Sequence, residues 1–269
     1  MIKILIFLFL AVWAAYLFLL HPRLRRADGR AFSQVFFAHR GLHDGNRLVP
    51  ENSLAAFSRA VKAGYGIELD VQLSGDGVPV VFHDATLSRM CGIDRRVDEL
   101  TFRELRELSL AGTGERIPSF AEALELVAGQ VPLLVELKMD RIDMEIPRRA
   151  DALLSSYPGR YCIESFHPLA LWWYRKNRPR IFRGQLSTNF NIENRTLSPF
   201  QYLFGKMVLN VIGRPDFISY NWRFRHDTGL WLARCLFRAP CAGWVIRSPR
   251  ELASCKKMFS MFIFEDFLP

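Results

Sequence analysis

The chain has 269 residues, half of them hydrophobic, with 23% charged and 13% aromatic. That excludes a disordered polypeptide, a collagen and a small disulfide-stapled domain. Lys and Arg number 36 against 27 for Asp and Glu, a net charge of +9. A mild basic excess suits phosphates or anionic headgroups, but it is also common in proteins that bind neither.

Part of that excess is local. The N-terminal stretch holds Lys3, Arg23, Arg25, Arg26 and Arg30 against Asp28. The five cysteines, Cys91, Cys162, Cys235, Cys241 and Cys255, form no CxxC pair and no Cys/His cluster of zinc spacing. Reduced thiols in a cytosolic setting are the expectation.

Residues 4–20, ILIFLFLAVWAAYLFLL, carry no charge. With Met1, Ile2 and a snorkelling Lys3 the run is long enough to cross a bilayer core of about 30 Å. A signal peptide is the competing reading, but its apolar region is usually shorter and ends in a small-x-small cleavage site. Here the run ends in Leu19-Leu20-His21-Pro22-Arg23. An uncleaved transmembrane anchor over 1–22 is expected, then a basic juxtamembrane linker over 23–34 lying on the membrane surface. The arginines behind the span keep the large C-terminal part in the cytoplasm by the positive-inside rule. The protein is thus expected to be a single-pass protein of the cell membrane.

From Val35 onward, strand-like and helix-like patterns alternate. Strands are predicted at Val35–His39, Ile67–Leu73, Leu133–Lys138, Tyr161–Phe166, Phe182–Leu186, Phe217–Tyr220, Gly243–Ile246 and Met261–Phe264. Eight strands of this kind point to an α/β fold, a (β/α)8 TIM barrel over 35–269. Asn52 is expected to cap a helix running to Gly64. Thr101 with Glu104 and Ser119 with Glu122 fit the capping box, and Ser248-Pro249-Arg250-Glu251 adds Pro at the first helical position. The tight Ser74-Gly75-Asp76-Gly77 turn makes Val78–His83 the antiparallel arm of a hairpin. It opens a small insertion after the second strand, about 84–117.

The chemistry sits on strands. Glu68 and Asp70 are two apart and share a face. Two buried carboxylates side by side repel and lose hydration, so they call either for a divalent cation or for an arginine each. Glu136, two residues before Lys138, brings a third carboxylate from the next barrel strand. Three carboxylates suit Mg2+ or Ca2+ better than zinc. His39 ends the first strand. A turn centred on Gly75-Asp76 sets His83 opposite Glu68, and one centred on Asp76-Gly77 sets it opposite Asp70. Two histidines beside three acids at the C-terminal ends of barrel strands lie where barrel active sites form.

These residues resemble the glycerophosphodiester phosphodiesterase family. The matching pieces are Ala38-His39-Arg40-Gly41, Pro50-Glu51-Asn52-Ser53, Ala56-Phe57, Glu68-Leu69-Asp70-Val71, Asp76-Gly77, Val80-Val81-Phe82-His83-Asp84, Ile117-Pro118-Ser119-Phe120 and Val135-Glu136-Leu137-Lys138. Ser165-Phe166-His167-Pro168 and Gly184-Gln185-Leu186 match more loosely. Trp244-Val245-Ile246-Arg247 stands where the family often has Trp-Thr-Val-Asn, and Phe264-Glu265-Asp266-Phe267-Leu268-Pro269 where it often has Thr-Asp-x-Pro.

The resemblance implies a phosphoric diester hydrolase that makes glycerol 3-phosphate and an alcohol. It implies one divalent cation (Mg2+ or Ca2+, with Mn2+ also a candidate) on Glu68, Asp70 and Glu136, and acid–base catalysis by His39 and His83. His39 is favoured as the base, although the sequence leaves that order open, as it does direct attack by water against a cyclic phosphate. Arg40 and Lys138 become phosphate contacts. Trp244 is a candidate to line the substrate pocket or pack the core, and Glu51 to support the site from behind or serve the fold alone.

Three other readings compete. A tethered enzyme could act as a lysophospholipase D on lysophospholipids. A non-catalytic anchored protein could bind lipid or a partner. The basic run Arg175, Lys176, Arg178, Arg180, Arg183 raises a nuclease, but it lacks any base-stacking motif, so no nucleic-acid partner is expected. The apolar stretch 198–212 reads either as a buried barrel helix or as a surface touching lipid, and 229–238 raises the same choice.

Overall fold

Runs of apolar and β-branched residues form every expected barrel strand, and the strands close on one another. The structure, a computed structural model, describes residues 1–24, 26–139 and 141–269. Arg25, one of the arginines behind the apolar span, lies outside them. The strands are β1 (Phe36–Ala38), β2 (Gly66–Leu73), β3 (Pro79–Val81), β4 (Leu133–Leu137), β5 (Tyr161–Ser165), β6 (Arg183–Ser187), β7 (Phe217–Asn221), β8 (Cys241–Ile246) and β9 (Met261–Phe264). All pair in parallel around a closed ring except β3, which lies antiparallel on the end of β2. This is a TIM barrel.

The helices are α1 (Ile2–Leu20), α2 (Leu54–Ala63), α3 (Ser88–Cys91), α4 (Phe102–Arg106), α5 (Phe120–Val127), α6 (Glu145–Leu154), α7 (Pro168–Asn177), α8 (Phe190–Glu193), α9 (Pro199–Gly205), α10 (Asn210–Gly213), α11 (Thr228–Trp231) and α12 (Pro249–Cys255). α1 is the one helix among the described residues long and apolar enough to cross a membrane. Both predicted capping boxes form, Thr101 with Glu104 and Ser119 with Glu122. The cap of α2 needs correction. Ser53, not Asn52, accepts the free N–H of Ala56.

The hairpin register also differs from both expected alternatives. Val71 pairs with Val81, Gln72 with Val80 and Leu73 with Pro79. The loop has three residues: a turn closed by Gly77 N–H on Ser74 O (2.9 Å), then Gly77 at φ +79°. That left-handed step adds the residue that moves the register. His83 therefore lies past the paired residues and faces neither carboxylate across a ladder. The hairpin arm and the insertion share a small core, including Val80, Phe82, Leu87, Met90, Leu105 and Ile117.

The N-terminal end of the barrel is sealed. Phe37, Leu134, Phe182, Phe217 and Ile263 fill it, and Phe32 stacks on Phe182 with ring centroids 5.8 Å apart. The segment behind α1 runs across the N-terminal ends of the strands. Arg23 N–H donates to Pro215 O (2.9 Å), Ala27 N–H to Asp216 Oδ1 (2.9 Å) and Gln34 N–H to Ser260 O (2.6 Å). The stretch 198–212 is not one buried helix. It breaks into α9 and α10, and Phe200 and Leu203 of α9 face solvent.

The basic run is divided: Arg175, Lys176, Arg178 and Arg180 are exposed and Arg183 is not. Arg183 is buried, donating to Gly213 O and Arg214 O, with its guanidinium 3.5 Å from the fully buried Asp216. Burial pushes Arg183 down to about 10, against the charge of Asp216. Removing one partner of such a pair strands the other charge. Asp216→Ala should cost about 3 kcal/mol, a fall in Tm of roughly 6–12 °C for a domain this size. Thermal unfolding in detergent checks it; a Tm within about 2 °C of the parent would remove the pair from the account of stability.

Candidate active site

The open end of the barrel is lined with charge. On β2, Glu68 and Asp70 point inward, and on β4 Glu136 sits level with Asp70. Glu68, Asp70 and Glu136 each bring one oxygen to within 4.8 Å of the others, and all three are buried. Lys138 Nζ bridges Asp70 Oδ1 (3.0 Å) and Glu136 Oε1 (2.8 Å). Burial and the charges of Asp70 and Glu136 hold Glu68 well above the usual carboxylate range. Burial would raise Asp70 too, but Lys138, His83 and Arg40 outweigh it and hold it well below.

This set fits a divalent cation. The donors are hard oxygens, their mutual repulsion is what a cation relieves, and Asp70 Oδ1 has an ion pair but no aligned hydrogen bond.

β5 adds a carboxylate that sequence reading missed. Glu164 is level with Glu136 in the next strand, buried, with Oε2 unpaired. Burial and the charge of Glu136 raise it well above the usual range. Inward alternation along Cys162, Glu164 and Phe166 was the available signal.

The loop behind β1 packs against the acids. Arg40 and Asn52 have φ near +54° and +53° and are tied by Asn52 N–H to Arg40 O (2.8 Å). This places Arg40 N–H on Glu68 Oε2 (2.8 Å) and Asn52 Nδ2 on Asp70 Oδ2 (2.8 Å). Two strained backbone positions thus orient two of the three acids. Gly41 follows at φ +82°, where a Cβ would stand 2.8 Å from that of Ala56. Arg40 donates to Glu51 Oε1 (2.6 Å), and Arg89 grips the same carboxylate with two bonds (2.7 and 2.9 Å). Burial would raise Glu51, but the Arg89 bonds and the Arg40 charge hold it at about 2.

Each histidine has a carboxylate behind it. His39 Nδ1 lies 2.5 Å from Glu265 Oε2, and His83 Nδ1 lies 2.6 Å from Asp84 Oδ1. Burial and the Arg40 charge push His39 down to about 4, against the pull of Glu265. Glu265 also pairs with Arg247 (2.5 Å). Sequence reading saw Glu265 and Arg247 as departures from a pattern and assigned them no role. Trp244 joins the site: a cavity of about 200 Å3 is lined by His39, Glu68, His83, Glu136, Glu164 and Trp244, among others. An adjoining cavity of about 400 Å3 reaches from His83 and Lys138 to Phe166 and Phe204. A larger cavity, about 640 Å3, lies at the sealed end among Arg26, Arg30, Arg234, Arg238 and Lys257 and touches none of these acids or histidines.

Residues 39–232 match the glycerophosphoryl diester phosphodiesterase family. A glycerophosphodiester phosphodiesterase of Caldanaerobacter subterraneus is 36% identical over 165 residues, covering 56% of this chain and 66% of that protein. Glycerophosphodiester phosphodiesterase 1 of Rattus norvegicus is 42% identical over 96 residues, covering 32% and 28%. The alignments thus span just under two thirds and under a third of those relatives. Among solved structures, the Thermotoga maritima glycerophosphodiester phosphodiesterase has a TM-score of 0.63 at 25% identity, covering 86% of this chain and 93% of that one. An Oleispira antarctica phosphodiesterase, solved with the product sn-glycerol-3-phosphate, has a TM-score of 0.70 at 24% identity, covering 87% and 94%. A match over residues 39–232, most of the barrel, makes this chain a member of the glycerophosphoryl diester phosphodiesterase family.

Proposed function

We propose that the protein hydrolyses glycerophosphodiesters to glycerol 3-phosphate and an alcohol, at the membrane surface and with a divalent cation. The observation that carries this reading is the buried cluster of Glu68, Asp70 and Glu136 beside a cavity lined by Glu68, Glu136 and two carboxylate-backed histidines. The product bound by the Oleispira antarctica relative supports the substrate class. α1 would anchor the chain, with Arg23, Arg26 and Arg30 behind it supporting a cytoplasmic barrel.

Glu68, Asp70 and Glu136 would hold Mg2+ or Ca2+, or Mn2+, which when bound polarises a phosphoryl oxygen and orients the attacking hydroxyl. His39 donates Nδ1–H to Glu265 and keeps Nε2 free to accept the proton of water or of the glycerol hydroxyl. Its low proton affinity keeps it neutral near pH 7. His83, backed by Asp84, donates a proton to the departing alkoxide. Lys138 and Arg40 neutralise charge on the phosphate oxygens. The route by water and the route by cyclic phosphate make the same demands on these groups.

The test is turnover by the purified full chain on glycerophosphocholine and glycerophosphoglycerol, with release of glycerol phosphate measured. No turnover with any of the three cations would leave the anchored, non-catalytic reading standing.

Glu265 makes a sharper prediction. Its charge favours the imidazolium of His39, so Glu265→Gln should lower the affinity of Nε2 for a proton. kcat should fall at least about tenfold while the acid limb of the pH–rate profile moves to lower pH. A purely structural role would lower the rate without moving that limb.

A further inference from the structure

α1 shows on which side of the barrel a bilayer would lie. Only its last turns touch the barrel. Tyr16 Oη donates to Lys206 O (3.3 Å), Asn210 Nδ2 to Leu20 O (2.9 Å), Arg214 to Phe18 O (2.8 Å) and His21 O (2.9 Å), and Arg23 N–H to Pro215 O (2.9 Å). Lys206 follows α9, whose Gly205 sits against the carbonyl of Thr188 just past the C-terminal end of β6. Pro215 precedes the N-terminal end of β7. α1 therefore descends the barrel wall from the catalytic rim towards the sealed end. Residues 1–15, all exposed, project beyond the rim that holds His39 and His83, about 22 Å of helix.

The same rim turns apolar side chains outward. Leu197, Phe200 and Leu203 are 98%, 71% and 51% exposed, and Trp231 of α11 is 53% exposed. Single exposed hydrophobic residues are ordinary; a group beside an apolar helix marks a contact surface. From Phe200 a run of rings leads inward. Phe200, Phe204, Phe190, Phe166 and Trp244 follow one another with centroids 5.3–6.0 Å apart. Trp244 and Phe166 line the cavity of the histidines and acids, and Phe204 the one beside it.

We propose that the catalytic rim sits on the bilayer with α9 in the lipid, and that the ring run carries the single acyl chain of a lysophospholipid whose phosphodiester occupies the site. This rests on the phosphodiesterase and anchor readings above. A lysophospholipid is a glycerophosphodiester with one apolar chain. Its phosphate takes the place of the water-soluble substrate's, and the chain needs an apolar way out of a charged cavity, which a deacylated substrate does not. Water adds to phosphorus, the bond to the headgroup oxygen breaks, and the headgroup leaves as an alcohol, with lysophosphatidic acid as the other product.

Docking is tested without turnover. The full chain, with Cys91 and Cys235 replaced by serine, is placed in nanodiscs and carries a fluorophore on Phe200→Cys or on Lys257→Cys at the sealed end. Lipids brominated in their acyl chains should quench the label at 200 at least about twice as strongly as that at 257. Equal quenching, or more at 257, overturns the docking. Recovery of the protein from the aqueous phase of the expressing cells with residues 1–20 cleaved off overturns the anchor reading with it.

The acyl path is tested by the double variant Phe200→Glu, Leu203→Glu. kcat/KM on lysophosphatidylcholine in nanodiscs should fall about tenfold, while that on dissolved glycerophosphocholine stays unchanged. Equal loss on both substrates, or on neither, overturns the path. Wild-type protein that quenches as expected yet hydrolyses neither substrate refutes the phosphodiesterase reading and the acyl path, while the docking stands.

Discussion

Chelation of divalent cations should stop turnover, and Asp70→Asn should lower kcat/KM at least about a thousandfold, the upper end for loss of one group that stabilises transition-state charge. Asp70 is the centre of the site. It is level with Glu136, two residues from Glu68, held by Asn52 at 2.8 Å and paired with Lys138 at 3.0 Å. The amide keeps its shape and removes its charge, so the folded chain should survive while the oxygen cluster loses cation affinity. Calorimetric titration with Mg2+, Ca2+ and Mn2+ separates the two effects. The parent should show a saturable heat of binding that the variant lacks. Full activity in excess chelator, or unchanged cation affinity in the variant, would refute the metal-dependent mechanism.

His39→Ala and His83→Ala should each cost at least about a hundredfold, the low end for general acid–base catalysis. Leaving-group dependence tells their roles apart. An aryl alcohol with a low pKa needs no proton to depart. With an aryl phosphodiester, His83→Ala should recover most of its rate and His39→Ala should not. Recovery of the His39 variant instead would reverse the assignment. Near-full turnover by either variant on glycerophosphocholine would remove that histidine from the chemistry. His39 is the more buried of the two, and each has a carboxylate at its Nδ1.

Much of this was legible in one dimension. Eight apolar runs form β1, β2 and β4–β9. Thr101 with Glu104 and Ser119 with Glu122 cap their helices. Glu68 and Asp70 share a face because a strand alternates. These features depend on residues a few positions apart, where backbone geometry and local hydrogen bonds decide the outcome. Asn52 shows the limit of that reasoning. By residue type it is a good cap, but Ser53 takes the position and Asn52 turns to Asp70 eighteen residues on. The hairpin register moved because one glycine added a left-handed step, which residue type permits but does not require.

What the sequence by itself determined is the barrel, its insertion, the apolar N-terminal helix and the acids that cluster at one rim, since periodicity and capping are local. Tertiary structure alone decided which carboxylate stands behind His39, because Glu265 is 226 residues away and meets it only when β9 closes against β1. It also placed Glu164 beside Glu136, drew the segment after α1 across the sealed end and aimed α1 past the catalytic rim. Those outcomes follow from ring closure and from packing of residues 16–34 against segments far along the chain, and no local pattern encodes them.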